Sequence, residues 1–264
     1  MRMHTDLAPA FHPDLLSRVE DAGLNASAPP QQRWLDGWLL RFSPGKAKRA
    51  RCINAVAAGR LPAREKLALA EHAYAEAALP VIVRITPFTL PGGLDRLLES
   101  LGLQRFDETR VMVLERLAEL EVPAPRADAT LQAIGLEAFA QRVGALRGSA
   151  IAQRQAHAQR LAHSPVPFTA FELKIGGEVL ACGQFAQESD LVGLYDVFTA
   201  PQARGRGLAT LLCAHLLAEA RSRGARHAYL QVERDNHPAR AVYHRLGFAD
   251  GYAYHYRSRD PSTA

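Results

Sequence analysis

The sequence predicts an α/β (α+β) fold made of two like units in tandem, and three observations carry that prediction. Residues 168–256 run through strand-like and helix-like patterns in the order β-β-β-α-β-α-β. The N-terminal half repeats part of that order: "LPVIVRIT…GLDRLLESLGL" matches "HAYLQVER…PARAVYHRLGF" in its elements and in the helix-ending Leu-Gly pair. Between the halves, "LEVPAPRADAT" holds two prolines and reads as a linker. The expected division is therefore 1–119, a linker at 120–130, and 131–264, within what 264 residues can fold.

In the first unit, "RWLDGWLLRFS" and "ARCINAVA" suggest strands around a turn at Pro44-Gly45. "AREKLALAEHAYAEA" has the spacing of an amphipathic helix, "PVIVRIT" that of a strand, "GLDRLLESLGL" a short helix and "RVMVLERL" a strand. In the second unit, 132–163 reads as two helical stretches, the first marked by Ile134, Leu136, Phe139, Val143 and Leu146. Gly176-Gly177 sits between two strand-like runs and signals a hairpin, because glycine accepts the positive φ such turns need. "LVGLYDVFT" is a third strand. From Leu208 the period becomes helical (Leu211, Leu212, Leu216, Ala220) until Gly224 stops it. "HAYLQV" returns to strand, "HPARAVYHRLGF" to a short helix opened by proline, and "YAYHY" to a last strand.

Composition narrows the function classes. Hydrophobic residues make up 48% and charged residues 22%, an ordinary globular balance. No apolar run approaches the roughly 20 residues of a membrane span. The first residues lack the apolar core of a secretion signal. Cys52, Cys182 and Cys213 are scattered, which fits a reducing cytoplasm. The net charge of +5 comes without a dense basic tract or a nucleic-acid-binding motif, so no nucleic-acid partner is expected. His237 and His244 share a helical face but lack a carboxylate at a matching step, so no metal is expected.

"TAPQARGRGLAT" (199–210) stands where a strand hands over to a helix. Helix starts expose unpaired N–H groups and the positive end of the dipole, and anions bind there. The P-loop pattern is absent, and "GRGLAT" fails the dinucleotide pattern at Thr210. R/Q-x-x-G-x-G/A fits at Arg204-Gly205-Arg206-Gly207-Leu208-Ala209 and, two residues earlier, from Gln202. The later register is preferred, because Leu208 then begins the apolar helix face. Asn236 and Tyr243 follow in "NHPARAVYHRLGF".

These two stretches resemble the GCN5-related N-acetyltransferase (GNAT) superfamily over about half the chain. The whole chain resembles its tandem arrangement with a degenerate first copy. The resemblance implies a mixed, mostly antiparallel sheet in each unit, splayed between the fourth and fifth strands. It implies acetyl-coenzyme A (acetyl-CoA) as donor and a small-molecule or peptide amine as acceptor. Val197, Phe198 and Thr199 would pair with the pantetheine arm, and the amides of Gly205, Arg206, Gly207, Leu208, Ala209 and Thr210 would take the pyrophosphate, with charge from Arg204 and Arg206. Asn236 would bind the cofactor arm. A strand amide near Phe198 would meet the developing oxyanion, and Tyr243 the leaving thiolate. The positions where some members carry a glutamate are Gly193 and Gln231 here, so the base falls to a nearby carboxylate, Asp196 ahead of Glu233. Trp34 and Trp38 are read as packing before pocket. The rival expectation is a non-catalytic CoA-binding sensor or scaffold. A homodimer is compatible with either.

Overall fold

The computed structural model describes residues 11–45 and 47–263. The chain runs through α1 (Pro13–Ala26), β1 (Gln31–Leu35), β2 (Trp38–Phe42), β3 (Ile53–Ala55), α2 (Ala63–Glu76), β4 (Val83–Ile85), α3 (Leu94–Ser100) and β5 (Gln104–Leu114). It continues with β6 (Ala129–Ile134), α4 (Leu136–Leu146), α5 (Ile151–Ala162), β7 (Phe168–Ile175), β8 (Glu178–Glu188) and β9 (Leu191–Thr199). Then come α6 (Leu208–Ser222), β10 (His227–Glu233), α7 (His237–Arg245) and β11 (Ala249–Ser258).

All the strands join one sheet in the order β1-β2-β3-β4-β11-β5-β10-β9-β8-β7-β6. Only β3–β4 and β9–β10 pair in parallel; the other neighbours are antiparallel. The halves thus repeat one plan: an antiparallel run, a parallel step across a helix, a short helix and a closing strand. The closing strands change places. β11 lies between β4 and β5, and β5 between β11 and β10, so each half completes the other's sheet.

The helix of the phosphate-type turn forms for local reasons. Gly207 caps it at φ 78°, and Leu208, Leu211, Leu212, Leu216 and Ala220 recur at helical spacing on its buried side. That face packs on Phe185, Val192 and Leu194 of the sheet. Each leucine so buried is worth about 1.5–3 kcal/mol. On the opposite face, α1 lays Leu15, Val19 and Ala22 against Tyr229, Tyr252, Tyr254 and Tyr256. It is pinned there by Glu20, which pairs with Arg84 and accepts from the Tyr252 hydroxyl at 2.6 Å.

The structure differs from the expectations at three places. α1 is an added element, although Pro13 at its first turn and the spacing of Leu15, Val19, Ala22 and Ala26 signal it. Residues 33–43 form no single strand; Asp36 and Gly37, both at positive φ, fold them into the β1–β2 hairpin. Residues 129–134 form the edge strand β6, so Ile134 ends a strand rather than opening a helix.

Candidate active site

β9 and β10 pair from Leu191 with His227 to Leu194 with Leu230, and then part. Opposite Cys182 to Gln184 the register of β9 shifts, and Asp196 adopts φ 51°. The left-handed region costs a non-glycine residue about 1 kcal/mol or more, and aspartate tolerates it better than most. Two cavities occupy the split. They share Val197, Asn236, Ala239 and Tyr243 and otherwise have different linings.

The larger cavity, about 940 Å³, is lined by residues 197–199, 204–210, Asn236 and Tyr243. It therefore gathers every residue the resemblance assigns to the donor, and Tyr243 with them. Among the described residues, no backbone N–H from Gly205 to Thr210 meets a carbonyl. Gly205 and Gly207 lie at φ 74° and 78°, and nothing stands within 4 Å of where a Cβ would project. On the same wall, Thr199 Oγ1 is buried without a hydrogen-bond partner among the described residues. Asn236 caps α7 by accepting from the Ala239 amide at 3.2 Å, which leaves its side-chain N–H donors to the cavity. Unpaired amides at a dipole's positive end, an open approach and an orphaned hydroxyl fit a pyrophosphate with a polar arm.

Sequence reasoning missed Arg126. It comes from the proline-rich segment, holds Asp128 with two hydrogen bonds at 3.0 and 2.7 Å, and donates to the Arg206 carbonyl at 3.1 Å. No spacing rule links it to a turn 80 positions away. Arg204 and Arg147 both lie over the Phe198 ring, at 5.7 and 5.4 Å.

The smaller cavity, about 420 Å³, takes its walls from both halves, including Lys48 and Arg49 from the first and Asp196, Glu233 and Tyr254 from the second. Asp196 is the most heavily engaged group. It lies 3.1 Å from Arg147, 3.2 Å from His157 and 3.8 Å from Arg160, and accepts from Gln184 at 2.9 Å. Burial opposes its charge, but His157, Arg147 and Arg160 outweigh that and hold its carboxyl far below the usual carboxylate range. These four contacts engage both of its carboxylate oxygens and tie α5 and the end of α4 to β9, the arrangement of an anchor. Glu233 forms no ion pair among the described residues, since its neighbour Arg234 turns to Glu108 at 3.3 Å and Asp235 at 3.0 Å.

Position 193 has no room for a glutamate. A Cβ there would meet the rings of Tyr195 and Tyr229 at 2.6 Å. Those tyrosines share a hydrogen bond of 2.7 Å between hydroxyls, and burial raises both phenols. Gln231 accepts from the Tyr254 hydroxyl at 2.8 Å. Tyr243 stacks edge-on against Phe248 at 6.1 Å, and its hydroxyl has no hydrogen-bond partner among the described residues. Burial, with a smaller contribution from Cys213, pushes its phenol well above the ordinary value. Tyr254 and Tyr256 form part of the cavity wall. Trp38 is fully buried in the first-half core and Trp34 is exposed on β1; neither reaches a cavity. His255 pairs with Asp95 at 2.9 Å.

The first half answers its own helix start. Ahead of α2, Asp36 accepts from the amides of Arg60 and Leu61 at 2.8 and 2.7 Å. An internal carboxylate thus holds the two amides just before the Pro62 cap, the places where Gly205 and Arg206 stand open before the Gly207 cap. No helix among the described residues is long and apolar enough to cross a membrane. No group of three or more metal-ligating side chains occurs among them.

Comparison with known proteins places the chain in a family. A family model described as "Probable histone acetyltransferase Rv0428c C-terminal" matches residues 16–259. The chain is 25% identical over 232 residues to YobR, an uncharacterized N-acetyltransferase of Bacillus subtilis (strain 168), covering 86% of this chain and 91% of that one. Its fold is similar to that of a GCN5-related N-acetyltransferase from Kribbella flavida, with a TM-score of 0.71, 18% identity, and 93% and 95% of the two chains covered. A tandem GNAT protein from the clavulanic acid biosynthesis pathway aligns with a TM-score of 0.59 and 18% identity, over 76% of this chain and 72% of that one. The chain belongs to the Rv0428c C-terminal acetyltransferase family and is an acetyltransferase of the GNAT type.

Proposed function

We propose that this chain moves an acetyl group from acetyl-CoA to a primary amine by direct transfer. The observation that carries the reading is Tyr243, which lines both cavities and whose hydroxyl has no hydrogen-bond partner among the described residues. The larger cavity would hold the donor: amides of 205–210 on the pyrophosphate, residues 197–199 along the arm, Asn236 beside it. Acetyl-CoA supplies an activated thioester when bound. The amine would enter from the smaller cavity. A nitrogen–carbon bond forms and the carbon–sulfur bond breaks. Tyr243 donates a hydrogen bond to the sulfur as it gains charge. Full proton transfer from so weak an acid is uphill, because a thiol's pKa lies near 8.5. The amine's proton leaves through Glu233, directly or across water, since both oxygens of Asp196 are already engaged by Arg147, His157, Arg160 and Gln184.

The two units at 1–119 and 131–264 remain the proposed division of the sequence. Because β5 and β11 change places, neither half closes its sheet alone. The buried, scattered thiols support a reducing, cytoplasmic setting. The non-catalytic CoA-binding reading is favoured by the missing glutamates at 193 and 231. Release of thiol from acetyl-CoA in the presence of a panel of amines decides between them. Amine-dependent release supports the enzyme; binding without release on any amine supports the sensor.

A further inference from the structure

The smaller cavity carries more positive charge than its own carboxylates neutralise. Lys48 is matched by Asp107 at 2.7 Å. Asp196 answers Arg147, Arg160 and His157 together. Arg49 has nothing comparable. Its guanidinium donates to the Tyr254 hydroxyl at 3.2 Å, and no carboxylate reaches it among the described residues. Its Nε is buried without a hydrogen-bond partner among the described residues. Arg160 lies close enough for the two like charges to repel. A half-buried cation without a counter-ion is costly. A planar guanidinium fork is also the group best shaped for a carboxylate or phosphate.

Resting on the acetyltransferase reading above, we propose that the acceptor is a small amine bearing a carboxylate, in the simplest case an amino acid, and that Arg49 receives its carboxylate while the amino group faces Tyr243 and Glu233. A cavity of about 420 Å³ has room for such a molecule. The guanidinium groups of Arg49, Arg147 and Arg160 disfavour polycationic amines at the same place. The first half, where Asp36 occupies the amides of Arg60 and Leu61 ahead of α2, then has a defined role, supplying the side chain that selects the acceptor.

The test compares acceptors on the wild-type protein with acetyl-CoA, following thiol release. The panel holds free amino acids, their carboxamides, phosphoethanolamine as a phosphate-bearing amine, and spermidine and a lysine-rich peptide as polycations. The expected result is turnover of at least one amino acid, with kcat/KM lower for its carboxamide by about tenfold or more. Arg49→Gln raises KM for that acid and narrows the acid-to-amide ratio. Arg49→Lys, which keeps the charge and loses the fork, falls between, and thermal melting verifies that both variants fold. Equal use of acid and amide, a phosphate-bearing or polycationic amine as best acceptor, or no turnover of any amino acid overturns the proposal. Calorimetry with acetyl-CoA alone keeps the two readings apart. Donor binding with turnover of the wrong amine ends only the acceptor inference, whereas no donor binding ends the acetyltransferase reading beneath it.

Discussion

Replacing Tyr243 by phenylalanine removes one oxygen and leaves the ring against Phe248. The hydroxyl forms no hydrogen bond among the described residues, so its loss breaks none and the melting temperature holds or rises. Its proposed partner is the sulfur of the leaving thiolate. A hydrogen bond to a charged group is worth about 1.5–3 kcal/mol. At about 1.4 kcal/mol for each tenfold in rate, kcat falls by roughly 10- to 150-fold. Acetyl-CoA affinity stays within a few-fold, because the amides at 205–210 are untouched. Burial lifts the phenol, so it stays protonated across the ordinary assay range and the loss is the same at each pH. Steady-state thiol release gives kcat, and calorimetry gives the donor affinity. A variant with unchanged kcat, or one whose whole loss lies in donor binding, refutes the role.

Glu233→Gln lowers kcat by about 100-fold or more with acetyl-CoA affinity kept, while Asp196→Asn lowers it far less; the reverse pattern restores Asp196 as the base. Glu20→Ala strands Arg84 in the core and costs about 3–5 kcal/mol by urea unfolding. Burial opposes the charge of Glu20, but Arg84, Tyr252 and Arg41 lower its pKa overall, as the surroundings of Asp196 do more strongly. Both therefore add stability above their unfolded values near about 4 and lose it as pH falls below. The unfolding free energy drops on acidification, and it drops less in Glu20→Ala. Gly193→Ala drives a methyl into Tyr195 and Tyr229 and lowers stability by about 1–3 kcal/mol; an unchanged melting temperature would show that the pair can move aside.

The second half is the more legible because its signals are local. A glycine pair turns a hairpin, and a glycine before spaced leucines starts a helix, so residues 168–256 read much as they fold. The turn and Tyr243 are close in sequence terms to the elements that present them. What stays hidden depends on distant partners. The exchange of β5 and β11 is set by which half's strand fills which gap, and both strands look alike in isolation. Asp196 reads as a carboxylate within an apolar strand; only the folded chain brings Arg147, Arg160 and His157 around it. Arg49 lies on a short turn without periodicity and gains meaning from Tyr254, 205 positions later. The Asp36-Gly37 hairpin, by contrast, has a plain signal that the apolar residues around it mask.

Whether the open amides of 205–210 hold the pyrophosphate of acetyl-CoA is tested most directly by calorimetry on a matched pair of glycine variants. Gly205→Val places a branched side chain in open space on the cavity wall. Gly176→Val imposes a similar positive-φ strain at a hairpin, also with nothing within 4 Å, away from the cavity. The expected result is micromolar binding by the wild type and by Gly176→Val, and binding weaker by about tenfold or more in Gly205→Val. Equal affinity in all three proteins, or no binding by the wild type, would contradict a pyrophosphate site on this turn.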